Sequence, residues 1–133
     1  MSIGLLLITH NEIGTQLLAT ATRMLGCCPL QADCLCIRDD ADPAQCAADA
    51  ARLAKRLDQG EGLLVLTDLY GSTPANIARG LADRDGVRVL AGINLPMLVR
   101  VFNYADLGLA TVVEKALSGG RDGVLSCAPA EPG

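Results

Sequence analysis

Four short apolar segments, at residues 3–8, 34–37, 63–67 and 87–91, are separated by stretches with helical spacing, and this alternation is what most limits the fold. The first is apolar on both faces and rich in branched residues, and the second is again apolar throughout. That pattern belongs to strands covered on both sides, as in a parallel sheet. Between the first two segments, residues 15–28 carry Leu17, Leu18, Ala21, Met24, Leu25 and Cys28 at helical intervals, with Pro29 as the expected stop. Asp42 and Pro43 read as an N-cap and first-turn proline for a second helix whose stripe runs from Cys46 to Leu57. A third helix is expected over 74–83 with Thr73 as its cap. Two more are expected over 95–104 and 107–117, the last closed by Gly119 and Gly120. Residues 123–127 suggest a short extra edge strand, and 128–133 a disordered tail.

Strand–helix alternation with right-handed crossovers predicts one α/β domain over residues 1–127. Its sheet should be mostly parallel, in strand order 2-1-3-4, with helices on both faces. At 133 residues the chain can bury a real core, and with 50% hydrophobic but only 2% aromatic residues that core must be aliphatic.

The same composition narrows function. Eleven basic residues against fifteen acidic ones give a net charge of -4, without the basic cluster that nucleic acid requires. No apolar run approaches the ~18 residues of a membrane span, and the first segment has no basic residue before it and is broken by His10, Asn11 and Glu12. A cytosolic protein is expected. Of the six cysteines, none forms a CxxC pair and the one histidine is distant in sequence, so no metal site is expected. Cys34, Cys36 and Cys46 read as buried small hydrophobes.

In an open parallel sheet the ligand site lies beyond the carboxyl ends of the strands, where strand order reverses. His10 follows the first strand there. It is either a surface or capping residue or the reactive group, since imidazole serves as nucleophile or base near neutral pH. Asp68 ends the third strand at the same height. Alone it reads as a turn residue. Beside His10 it could accept a hydrogen bond from one ring nitrogen, fix the tautomer and free the lone pair of the other. Gly71, Ser72 and Thr73 before Pro74 form either a well-made helix start or a cradle for an anion. A GxxxxGKS/T loop and a GxGxxG fingerprint are both missing, which argues against a nucleotide cofactor.

The blocks ITH at 8–10, LTDLYGSTPAN at 66–76 and VLAGINLPML at 89–98 resemble the IIA domain of the mannose family in the bacterial phosphoenolpyruvate:sugar phosphotransferase system. The resemblance implies that His10 is the phosphorylated histidine, Asp68 the aspartate bonded to it, and Thr73 the hydroxyl residue at the head of the third helix that holds phosphate. It implies further that HPr donates the phosphoryl group, that a IIB protein accepts it, and that the domain is a homodimer whose last strand exchanges between subunits. It calls for no metal or other cofactor. Asn11 stands where the family commonly has glycine, and Ser72 where it has a second glycine. The acceptor is expected on a separate polypeptide.

A donor must dock over His10, and Leu69, Tyr70, Met97 and Phe102 are candidates for that surface, although helical spacing of Met97, Val101 and Phe102 favours the core for those. Three other functions fit the same residues. One is a regulatory phosphoprotein using His10, and another the phosphoryl donor component of a dihydroxyacetone kinase. The third is a non-enzymatic or small-ligand-binding α/β domain in which His10 is incidental.

Overall fold

The computed structural model describes residues 2–128. The chain forms β1 (Gly4–His10), α1 (Ile13–Leu25), β2 (Ala32–Ile37), α2 (Pro43–Leu57), β3 (Leu63–Thr67), α3 (Thr73–Arg79), β4 (Val87–Ala91), α4 (Leu95–Asn103) and α5 (Leu109–Asp122). The four strands make one parallel sheet in the order β2-β1-β3-β4, as the alternation predicts.

Alternating side chains divide the core between the faces of the sheet. Leu5, Leu7, Leu64 and Leu66 pack with α1, α4 and α5, while Leu6, Ile8, Leu63 and Val65 pack with α2 and α3. The central strands β1 and β3 are therefore sealed on both sides, which holds their carboxyl ends in fixed relation. None of the described helices is long and apolar enough to cross a membrane.

Several local expectations are corrected. Strand β1 runs two residues beyond the apolar segment because Thr9 and His10 pair in register with Cys36 and Ile37, so His10 closes the strand instead of opening a loop. Helix α1 starts earlier than residue 15, since the Gly14 N–H donates to the buried Thr9 hydroxyl at 2.8 Å. It also stops before Pro29, at Gly26 in the left-handed region with φ 84°, the usual glycine C-terminal stop. Cys28 thus lies outside the helix, and Met24 and Leu25 face solvent.

Gly119 and Gly120 do not close α5; they lie inside it, buried against α4. A Cβ on Gly119 would come 2.7 Å from Cβ of Arg100 and 3.2 Å from the Pro96 carbonyl oxygen. The glycines serve close helix approach, not termination. Residues 124–128 form no strand, so the extra edge strand is not found among the described residues. Of the expected tail, residues 129–133 lie outside the described residues.

Candidate active site

Strand order brings the ends of β1 and β3 side by side, with Ile8 in register with Thr67. One residue beyond β3, the Asp68 carboxylate reaches across to His10. Its Oδ2 lies 2.8 Å from His10 Nδ1 and also accepts the His10 main-chain N–H at 3.0 Å. Its Oδ1 accepts the N–H of Leu69 at 3.0 Å. With Nδ1 engaged as donor, Nε2 is the ring atom that keeps a lone pair. The His10 side chain is 35% exposed and that of Asp68 13%, so the ring meets solvent while the carboxylate sits behind it. Burial pushes the Asp68 carboxyl up, but the hydrogen bonds from the His10 main chain and ring outweigh it and hold the group below the usual carboxylate range. Asp68 is therefore an ionised acceptor at neutral pH.

The bend after His10 depends on Asn11, whose φ of 46° is left-handed. Glycine suits that conformation best, and asparagine is among the few other residues that tolerate it. Its N–H donates to the Ile37 carbonyl at 3.0 Å. Next to it, Glu12 pairs with Arg38 at the end of β2 in an exposed contact of 2.5 Å.

The α3 cap is Ser72, not Thr73. Ser72 has extended backbone, and its hydroxyl accepts the Ala75 N–H at a long 3.5 Å. The same hydroxyl donates to the Leu69 carbonyl at 2.6 Å, and the Ser72 N–H donates to that oxygen at 3.3 Å. Both donors of Ser72 are thus committed to the loop. Thr73 becomes the first helical residue with an exposed side chain, and Gly71, at φ 81°, supplies the left-handed step before the cap.

The structure joins His10 and Asp68 directly and puts Gly71, Ser72 and Thr73 on the loop that leaves Asp68. It records no hydrogen bond from those three to His10 among the described residues. Leu69 and Tyr70 on that loop are exposed, whereas Met97 and Phe102 are 4% and 6% exposed and belong to the core. The latter two cannot form a docking surface because α4 turns that face onto the sheet and α5.

Sequence reasoning passed over the loop after β4 as a bracing element. The N–H groups of Gly92 and Ile93 donate to the carbonyls of Asp68 and Thr67, each at 3.1 Å. Asn94 then caps α4, followed by Pro96. Asparagine ahead of a first-turn proline was the available signal.

The family model described as PTS system fructose IIA component (EIIA-man) matches residues 4–117. The PTS system mannose-specific EIIAB component of Escherichia coli strain K12 is 36% identical over 132 residues, covering 93% of this chain but 39% of that protein. The chain thus spans about two fifths of that curated relative. The transcriptional regulatory protein LevR of Bacillus subtilis strain 168 is 28% identical over 119 residues, or 84% of this chain and 12% of the regulator. Among solved structures, the mannose/sorbose specific IIA subunit of the phosphotransferase system from Enterococcus faecalis superposes with a TM-score of 0.86 at 24% identity, covering 100% of both chains.

Proposed function

The chain belongs to the mannose-type IIA family of the sugar phosphotransferase system, and on that footing we propose that it is a cytosolic histidine phosphocarrier acting through His10. The 2.8 Å contact between His10 Nδ1 and Asp68 Oδ2 carries the reading. It holds the proton on Nδ1 and presents the Nε2 lone pair, the nucleophile that an in-line phosphoryl transfer needs.

The donor is phospho-HPr. Nε2 of His10 attacks its phosphorus, the donor's P–N bond breaks, and the donor imidazole recovers the electron pair. The His10 ring gains positive charge, which the Asp68 carboxylate offsets without taking the proton. The exposed Thr73 hydroxyl and the Gly71 amide contact the phosphoryl oxygens. Ser72, with both donors committed to Leu69, shapes that loop. In the second transfer a IIB component attacks the same phosphorus, the Nε2–P bond breaks, and His10 recovers the electron pair. Neither step calls for a metal or nucleotide. Exposed Leu69 and Tyr70 form part of the surface on which the donor docks.

The domain works as a homodimer. Among the described residues nothing pairs with the outer edge of β4, and exposed Val124 and Leu125 follow α5 without a partner element. Incubation with phosphoenolpyruvate, Enzyme I and HPr should leave an acid-labile, alkali-stable phosphate on this protein. His10→Ala should take up none while keeping the wild-type circular dichroism spectrum; undiminished labelling of that variant would refute the reading.

A second reading, a regulatory phosphoprotein with the same His10 chemistry, draws on the match to a transcriptional regulator. A phosphorylated form that never passes its phosphate to any IIB protein would favour it.

A further inference from the structure

Asn94 makes a pair of bonds that helix capping alone does not explain. Its Oδ1 accepts the Met97 N–H at 2.9 Å, the ordinary work of an N-cap, while its Nδ2 donates to the Gly120 carbonyl of α5 at 3.0 Å. Aspartate would cap as well, but with no N–H it could not supply that second bond. Upstream of Asn94, Gly92 turns at φ 88°. From that bend Gly92 and Ile93 reach the carbonyls of Asp68 and Thr67. The loop between β4 and α4 is therefore fastened at both ends, to the α4–α5 pair through Asn94 and to the main chain of the site through Gly92 and Ile93.

From this double attachment we infer that Asn94 is a positioning residue for Asp68. It keeps the main chain at residues 67–68 still, so that the carboxylate stays 2.8 Å from His10 Nδ1. The inference rests on the phosphocarrier reading for its functional meaning, but not for its test. Asp68 is held from the front by the His10 ring and from behind by this loop. Releasing the rear attachment lets the carboxylate sample positions from which it no longer fixes the ring proton. Rates that depend on alignment fall steeply with small displacements.

Asn94→Ser and Asn94→Asp both retain a capping oxygen; the serine side chain is shorter than that of asparagine, and the aspartate has no N–H to give the Gly120 carbonyl. Nitrogen-15 spectra of the His10 ring in the unphosphorylated protein should show one neutral tautomer in the wild type and a mixture of both in each variant. Transfer from phospho-HPr should slow by roughly 5- to 30-fold, with unchanged circular dichroism. If Asn94→Ser fails to fold, Asn94→Asp, with the stronger cap, carries the test. A single unchanged tautomer in the folded variant would overturn the inference, even if transfer slowed, because a merely structural or docking role leaves the ring proton in place. The tautomer is measured without any donor protein, so its outcome is independent of the labelling of His10→Ala.

Discussion

The Asp68 carboxylate holds His10 twice through a single oxygen, by the ring Nδ1 at 2.8 Å and by the main-chain N–H at 3.0 Å. Ring and backbone are thereby tied to one point, and the imidazole cannot turn without giving up a charge-assisted bond. In Asp68→Asn the amide oxygen can still accept hydrogen bonds, but the orienting charge is gone. Phosphoryl transfer to His10 should fall on the order of 100-fold, with the thermal midpoint shifted only a few degrees. Stopped-flow transfer and thermal melting check both parts. A wild-type rate would remove Asp68 from the mechanism.

That pairing also has an acid signature. Asp68 titrates below the usual carboxylate range because the hydrogen bonds from His10 outweigh the opposing effect of burial. A carboxyl depressed in the native state adds stability that is complete above its unfolded value of about 3.9 and is lost as pH falls through the native value. Wild type should therefore lose stability more steeply than Asp68→Asn below about pH 4. Above that, the two stability profiles should run parallel. Urea midpoints across pH 2–6 would show the divergence, and identical acid limbs would contradict it.

How far the sequence could be read depended on whether a residue's meaning was local or set by a distant neighbour. The strand order and the meeting of His10 with Asp68 were legible, because doubly apolar segments in alternation admit few sheets and carboxyl-end loops of central strands converge. Ser72 and Thr73 were not separable, since both hydroxyls precede Pro74. The left-handed Gly71 and extended Ser72 made the choice. Gly119 and Gly120 looked like a stop because a glycine pair reads the same whether it ends a helix or lets another helix approach. Met97 and Phe102 lay on a stripe whose inward direction only the packing of α4 against the sheet could reveal.

The glycine pair gives a directional test. Alanine is a better helix former than glycine by about 1 kcal/mol, so both Gly119→Ala and Gly120→Ala would stabilise an isolated helix. In the fold, the new methyl at 119 meets Arg100 Cβ at 2.7 Å and the Pro96 carbonyl at 3.2 Å, parts of α4 that cannot move aside. At 120 it meets the flexible end of Met97 at 2.9 Å. Gly119→Ala should destabilise by roughly 1–3 kcal/mol and Gly120→Ala distinctly less, by chemical denaturation. The reverse order would mean that α4 and α5 are not so closely packed.

The thiols should react in an order set by burial. Cys27 and Cys127 are exposed, Cys46 is buried, and Cys34 is half-buried with its thiol pushed up to about 11, chiefly by burial and against a hydrogen bond from Thr15. At pH 8 Cys34 would be only about 0.1% thiolate. Timed iodoacetamide labelling read by peptide mass spectrometry should find Cys27 and Cys127 modified first, with Cys34 and Cys46 well behind. Early modification of Cys34 would show that its thiol is more accessible than this partial burial allows.

Two buried threonines at the ends of neighbouring strands should respond oppositely to the same substitution. Thr9 and Thr67 are each 1% exposed. The Thr9 hydroxyl accepts the Gly14 N–H at 2.8 Å, whereas Thr67 Oγ1 has no hydrogen-bond partner among the described residues. Valine keeps the branched shape of threonine and its strand preference, so the comparison isolates the hydroxyl. Thr9→Val strands a buried N–H at the start of α1 and should cost about 1–3 kcal/mol. Thr67→Val removes an unpaired buried oxygen and should raise stability by about 1 kcal/mol, seen as urea midpoints moving in opposite directions with unchanged slopes. Loss of stability in Thr67→Val would mean that its hydroxyl finds a partner in solution.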